Sequence, residues 1–163
     1  MEMSSAEPDH SGSKIVAELI SELESQTTSE LKNETTLRIA FTFERFRIPN
    51  AKEMGWDNDI AVAHFQPEEI SNLSGAVVSR LKKFPLDSSL VFALGKRYDR
   101  QLHPFWISLL REQLRIAPLS IAVGQTLIAL SNLGEDTCDG HFSYDEFERN
   151  RTMAEKYLQN QGS

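Results

Sequence analysis

Between Glu135 and Glu148, six carboxylates (Glu135, Asp136, Asp139, Asp145, Glu146 and Glu148) fall within fourteen residues that contain no Lys or Arg. Acids gathered this closely can coordinate a hard cation through oxygen, or present a negative field to a basic partner. The same residues also make a plain solvated loop and helix start. Other groups able to do chemistry are scattered. The histidines, His10, His64, His103 and His141, form no pair at metal-ligand spacing with one another or with the single Cys138. Cys138 stands beside Asp139, without the electropositive setting that activates a thiolate. There is no phosphate-binding glycine loop, nucleophile elbow or HExxH pattern. Paired acids such as Glu68 and Glu69 suit the positive end of a helix dipole. The expectation is a protein that is not an enzyme, with no catalytic residue, no metal and no cofactor.

Residues 135–146 partly resemble an EF-hand calcium loop. Asp139 would stand at the fifth position, Gly140 at the turn, Phe142 at the apolar position, Ser143 at the ninth and Glu146 as the bidentate ligand. The first position holds Glu135 where Asp is expected and the third holds Thr137, so ligand charge and geometry are both weaker. No second loop is present to pair with it. Without calcium, Gly140 turns the chain, Phe142 packs, and Ser143 with Glu146 forms a capping box for the last helix.

The whole chain of 163 residues carries a net charge of −7, with 40% hydrophobic and 25% charged residues. That balance suits an ordinary folded domain and opposes general affinity for nucleic-acid phosphates. The acidity lies at the ends: residues 1–35 net −6 and residues 134–163 net −4, whereas residues 85–133 net +2. No apolar run is long enough to span a membrane. The opening MEMSSAEPDHSGSK does not look like a signal peptide. With only one cysteine, these features set the expectation of a cytoplasmic protein.

The elements that must position these groups read as helices. Residues 1–12 are expected to be a flexible lead-in and residues 13–160 a single domain. Ser13 is the expected cap of a first helix with Ile15, Val16, Leu19, Ile20 and Leu23 on one face. Residues 37–48 fit both periods. Leu37, Ile39, Phe41 and Phe43 alternate like a strand, yet Ile39, Phe43 and Phe46 oppose Arg38, Thr42 and Arg45 like a helix. Helix is favoured, because a strand would lack a partner. A short helix follows over residues 58–64. Pro67 opens a longer one with Ile70, Leu73, Val77, Val78 and Leu81 buried, ended by Pro85. Asp87 or Ser88 caps a helix through Leu90, Val91 and Leu94 to Tyr98. Phe105, Trp106, Leu109, Leu110 and Leu114 mark another, with Trp106 as core. Pro118 is expected to open the next, through Ile121, Val123, Leu127, Leu130 and Leu133. Phe147, Met153 or Ala154, Tyr157 and Leu158 define the last. The fold class is all-α.

A weak repeat joins LVFALGKRYD and LIALSNLGED, which bring Ala93-Leu94 and Ala129-Leu130 into similar frames 36 residues apart. Residues 90–96 with Asp99, residues 104–110 and residues 127–135 resemble HEAT-type helical repeats. The closing stretch, with Glu148, Asn150, Ala154, Tyr157 and Leu158, resembles the end of small bacterial HEAT-like proteins. Several of those are immunity proteins of polymorphic-toxin and contact-dependent-inhibition systems. The resemblance covers residues 66–160. It implies a short right-handed α-solenoid of antiparallel helical hairpins, and a cytosolic protein that binds one secreted toxin domain and occludes its active site.

On that expectation the partner is a protein toxin, basic at the contact surface, and neither nucleic acid nor membrane. The candidate contact residues are Asp136, Asp139, Asp145 and Glu148, with Trp56, Asp57 and Asp59 as a second group. A HEAT-like scaffold or adaptor, and a calcium-responsive regulator using residues 135–146, are the alternatives.

Overall fold

The computed structural model describes residues 11–26, 31–48, 58–137 and 145–161. Among these residues the chain is all-helical and has no strand. The α-helices are α1 (Ser11–Ser25), α2 (Asn33–Arg47), α3 (Asp59–Val62), α4 (Pro67–Lys83), α5 (Ser88–Gly95), α6 (His103–Ile116), α7 (Ile121–Asn132) and α8 (Phe147–Asn160); a 3-10 turn at Arg100–Leu102 precedes α6.

Most of the apolar residues read from the sequence as helix stripes are buried, but Ile121 at the start of α7 is exposed and Ile20 and Val78 are only partly buried. In α4, Ile70, Leu73, Val77 and Leu81 are fully buried, with Pro67 in the first turn and Glu68 and Glu69 beside it. Residues 37–48 are helical up to Arg47. The Thr42 hydroxyl bonds back to the Arg38 carbonyl at 2.7 Å, so a polar residue sits in the core at little cost. Trp106 is buried against Phe105, their ring centroids 5.4 Å apart. Each buried Leu, Ile or Phe of this kind stabilises the fold by about 1.5–3 kcal/mol before entropy is counted.

Several boundaries differ from expectation: α2 already begins at Asn33 and α3 ends at Val62, and four other differences have a local reason. Helix α1 (Ser11–Ser25) already includes Ser11 and Gly12, and Gly12 lets it lie directly on the chain leading into α4, where a Cβ would overlap the His64 carbonyl oxygen. Ser13 is therefore no cap, and its hydroxyl donates to Glu69 of α4. Helix α5 stops at Gly95, and the chain turns through Lys96 and Arg97 to Tyr98 at φ 51°. Pro118 lies in a turn closed by Ser120 N–H to the Ala117 carbonyl at 3.0 Å, and α7 starts only at Ile121. Helix α8 starts at Phe147, after Glu146, whose carboxylate pairs with Arg149 at 3.3 Å. Glu146 is thus not the third residue of a helix capped from Ser143, which lies outside the described residues.

The packing partners follow the chain in pairs. Helix α1 lies on α4, α2 on α5, and α5 on α7, with α6 and α8 both against α7. The α5–α7 contact is the most extensive, and it joins the two similar sequence frames: a Cβ at Gly95 would touch Ala129 Cβ at 3.5 Å. Helices α2, α5 and α7 run parallel. Their C-terminal ends meet through Lys96–Glu44 at 3.3 Å and Asn132 Nδ2 donating to the Gly95 carbonyl at 3.3 Å.

Candidate functional site

The acidic run at the C-terminal end separates into carboxylates that hold the fold together and carboxylates that face solvent. Glu135 belongs to the first kind. Its Oε1 accepts from the Tyr157 hydroxyl at 2.7 Å and lies 3.2 Å from His103 Nε2, which is also 2.9 Å from the Tyr157 oxygen. With the phenol donating to Glu135, the ring nitrogen can donate to both oxygens. The Tyr157 bond, against the opposing effect of burial, and then the His103 bond hold Glu135 below the usual carboxylate range. Burial first, and Glu135 second, hold the Tyr157 phenol well above its ordinary value. Next to it, Thr137 donates to the Leu127 carbonyl at 2.7 Å, and Arg100 donates to the Leu133 carbonyl. The α7–α8 connection is therefore fastened at its start.

Asp136, Asp145 and Glu148 are exposed. The sequence shows no base within residues 135–148, but the helix supplies bases one turn later. Glu148 pairs with Arg151 at 2.8 Å, as Glu146 does with Arg149. The negative charge at Glu148 is consequently partly offset by Arg151. Asp139 lies outside the described residues, as do Cys138, Gly140, His141, Phe142 and Ser143 of the calcium-like pattern. Glu135, its first position, is already engaged by Tyr157 and His103. Among the described residues no three His, Cys, Asp or Glu side chains converge to hold a metal ion.

Of the second candidate group, Trp56 and Asp57 lie outside the described residues. Asp59 opens α3 and is gripped by Arg38 from α2 in a two-pronged bond, 3.0 and 2.8 Å. That bond holds Asp59 below the usual carboxylate range. Arg45 of α2 adds a bond from Nε to the Ala61 carbonyl at 2.8 Å. Asp59 therefore pins α3 to α2, and its charge is largely answered within the chain.

A third surface was not singled out by sequence. Leu37 and Phe41 on α2, Phe92 on α5 and Ile121 on α7 are exposed on the parallel helices. At their C-terminal ends Lys96 lies over the Phe92 ring at 4.7 Å and Arg47 over the Tyr98 ring at 4.0 Å. The available signal was the alternation in residues 37–43, which supplies more apolar side chains than one buried helix face can use.

A cleft of about 500 Å³ runs between α1 and α4 past Gly75 and Ala76, and one of about 710 Å³ lies between α1 and α2 with Glu18, Ser21, Glu22, Lys32, Glu34 and Arg38 in its lining. The buried Arg80 closes one wall of the first by donating to the Leu23 carbonyl at 3.1 Å and to that of Gln26. Among the described residues, no helix is long and apolar enough to cross a membrane. The chain matches no protein family, no curated protein and no solved structure.

Proposed function

We propose that this chain is a protein-binding module that acts by occupying a partner's surface, and that its partner is a protein toxin whose active site it occludes. The observation that carries the binding reading is the succession of helix pairs. Helices α1, α4, α6 and α8 neighbour one another in one row, while α2, α5 and α7 neighbour one another in a second. Two such rows support the reading of a short α-solenoid of HEAT-like hairpins, a stack that offers broad helix faces rather than enclosed pockets. The outer side of α8, with Glu148, Thr152, Glu155, Lys156 and Gln159 exposed, suits the polar end of an array.

The toxin reading rests on the resemblance of residues 66–160 to small bacterial immunity proteins. Within it, Asp136 and Asp145 steer a basic surface and accelerate encounter. The test is capture from the native host with this chain as bait, together with inspection of the gene immediately upstream. A large secreted protein with a variable, toxic C-terminal domain, inhibited on binding, is the expected finding. Capture of non-toxic housekeeping partners with an unrelated neighbouring gene replaces the toxin with a scaffold role. If raising salt leaves the association rate unchanged, acidic steering is wrong.

A further inference from the structure

The outward face of the α2–α5–α7 layer carries side chains that internal packing does not explain. Leu37 is 48% exposed, Phe92 37% and Ile121 51%. Leu37 and Phe92 flank a shallow cleft with Ser88, Ser89 and Gln125, and no charged residue lines it. Single exposed apolar residues are ordinary, but here they are spread over three adjacent parallel helices as one surface.

The C-terminal end of this face has a specific charge. Lys96 is answered by Glu44 at 3.3 Å, and Arg97 by Asp99 at 3.8 Å. Arg47 has no carboxylate partner among the described residues. Its guanidinium is held instead by the Tyr98 ring at 4.0 Å, and its Nε donates to the Lys96 carbonyl at 3.4 Å. Tyr98 sits at φ 51°, a left-handed backbone that a bulky side chain keeps only where its surroundings hold it. The outcome is an exposed, pre-positioned arginine and tyrosine at the C-terminal end of a face whose uncharged cleft is lined by Leu37, Ala40 and Phe92 and otherwise by neutral polar side chains; arginine and tyrosine are among the residue types that dominate binding energy at interfaces.

The geometry points to this face as the docking groove for an amphipathic helix of a protein partner, its apolar ridge seated on Leu37, Phe92 and Ile121 and a flanking carboxylate meeting Arg47. Grooves between parallel helices accept the side-chain ridge of a further helix. Among the described residues the surplus charge at the C-terminal end of this face is the positive Arg47, so the matching group is a carboxylate. This surface is separate from the acidic end of α8 and opposite in sign, and it does not depend on the partner being a toxin.

The probe is a displayed library of random peptides about 16 residues long, roughly four helical turns, selected on the intact chain. Enriched peptides are then measured by fluorescence anisotropy against the wild type, Phe92→Ser, Arg47→Glu and an Asp136→Lys/Asp145→Lys variant. Peptides with apolar residues at helical spacing and at least one Asp or Glu are expected. Phe92→Ser and Arg47→Glu each weaken them by about tenfold or more, while the α8-end variant leaves them unchanged. Thermal melts verify that the substitutions leave the fold intact; should Phe92→Ser melt lower, Leu37→Ser takes its place. No enrichment, enrichment of basic peptides, or peptides indifferent to Phe92→Ser and Arg47→Glu overturns the proposal. A wild-type dimer that Phe92→Ser converts to monomer also overturns it, because a second copy then occupies the face.

Discussion

The Tyr157 hydroxyl donates to Glu135 Oε1 over 2.7 Å, and this one bond ties the last helix to the segment that leaves α7. His103 Nε2, at 2.9 Å from the same hydroxyl oxygen, brings the start of α6 into the cluster. Three elements thus meet at a partly buried carboxylate. An acid that sequence places in a loop open to calcium or a partner is a structural group here.

The Tyr157→Phe variant keeps the ring in the core and removes only this donor. A hydrogen bond to a charged group is worth about 1.5–3 kcal/mol, and partial exposure of Glu135 lowers that to about 1–2 kcal/mol at neutral pH. Glu135 titrates below its unfolded value, so its contribution is present above the unfolded pKa of about 4.3 and is lost as pH falls through the folded one. Tyr157 titrates above its unfolded value of about 10, so its contribution is present below that pH and is lost as pH rises past it. Urea unfolding of both proteins at neutral and at strongly acidic pH measures the difference, which is expected to narrow in acid. A gap that stays constant across the acid range assigns the loss to packing instead.

What the sequence displayed and what it concealed differ by range. Ile70, Leu73, Val77 and Leu81 announce α4 because a helix buries what recurs every three or four residues. Residues 37–48 were ambiguous because α2 buries Thr35, Thr36 and Thr42 and leaves Leu37 and Phe41 outside. Threonine can enter the core by bonding its hydroxyl to its own helix, and an outward Phe is legible only once its neighbours are known. The candidate site was harder still. Arg38 answers Asp59 from 21 residues away, and His103 and Tyr157 answer Glu135 from 32 and 22 residues away. Local charge counts do not register such partners.

Two glycines should respond oppositely to alanine. At Gly12 a Cβ would overlap the His64 carbonyl oxygen and stand 2.9 Å from the Phe65 ring, so α1 must move off the chain leading into α4. Gly12→Ala is expected to destabilise by about 1–3 kcal/mol despite alanine's better helix propensity. At Gly75, an exposed position inside α4, a Cβ meets nothing within 4 Å. Gly75→Ala should stabilise by about 0.5–1 kcal/mol. Thermal and urea melts of the two variants check the contrast, and a destabilised Gly75→Ala would mean that the α1–α4 cleft is filled in solution.

Gln113 and Thr126 form a buried relay between α6 and α7. Thr126 Oγ1 donates to Gln113 Oε1 at 2.8 Å, and Gln113 Nε2 donates to the Pro85 carbonyl at 2.9 Å, with both residues fully buried. Thr126→Val keeps the shape and leaves the amide oxygen without its donor, a loss of about 1–3 kcal/mol. Gln113→Met in the same chain removes that orphaned oxygen. The double variant should therefore lose less than the sum of the single losses, by about 0.5–3 kcal/mol in a denaturation cycle. Additive losses would show that the bond contributes nothing of its own.

Asp87 caps α5 through Oδ1, which accepts the Leu90 N–H at 3.1 Å, while Oδ2 is buried with no hydrogen-bond partner. Burial, acting against that bond, pushes its carboxyl above the usual range. A raised acid favours folding below its unfolded pKa, and the advantage is lost as pH rises through the folded pKa. At neutral pH the fold therefore carries a charge it would be more stable without. Asn caps a helix as well as Asp does and has no charge. Asp87→Asn should be neutral to stabilising at pH 7, by no more than about 1 kcal/mol once solvent screening at this half-exposed site is allowed for. The gain should shrink as pH falls toward the acid range. Unfolding curves at several pH values test this, and a clear loss of stability at neutral pH would show that the α5 cap depends on the negative charge.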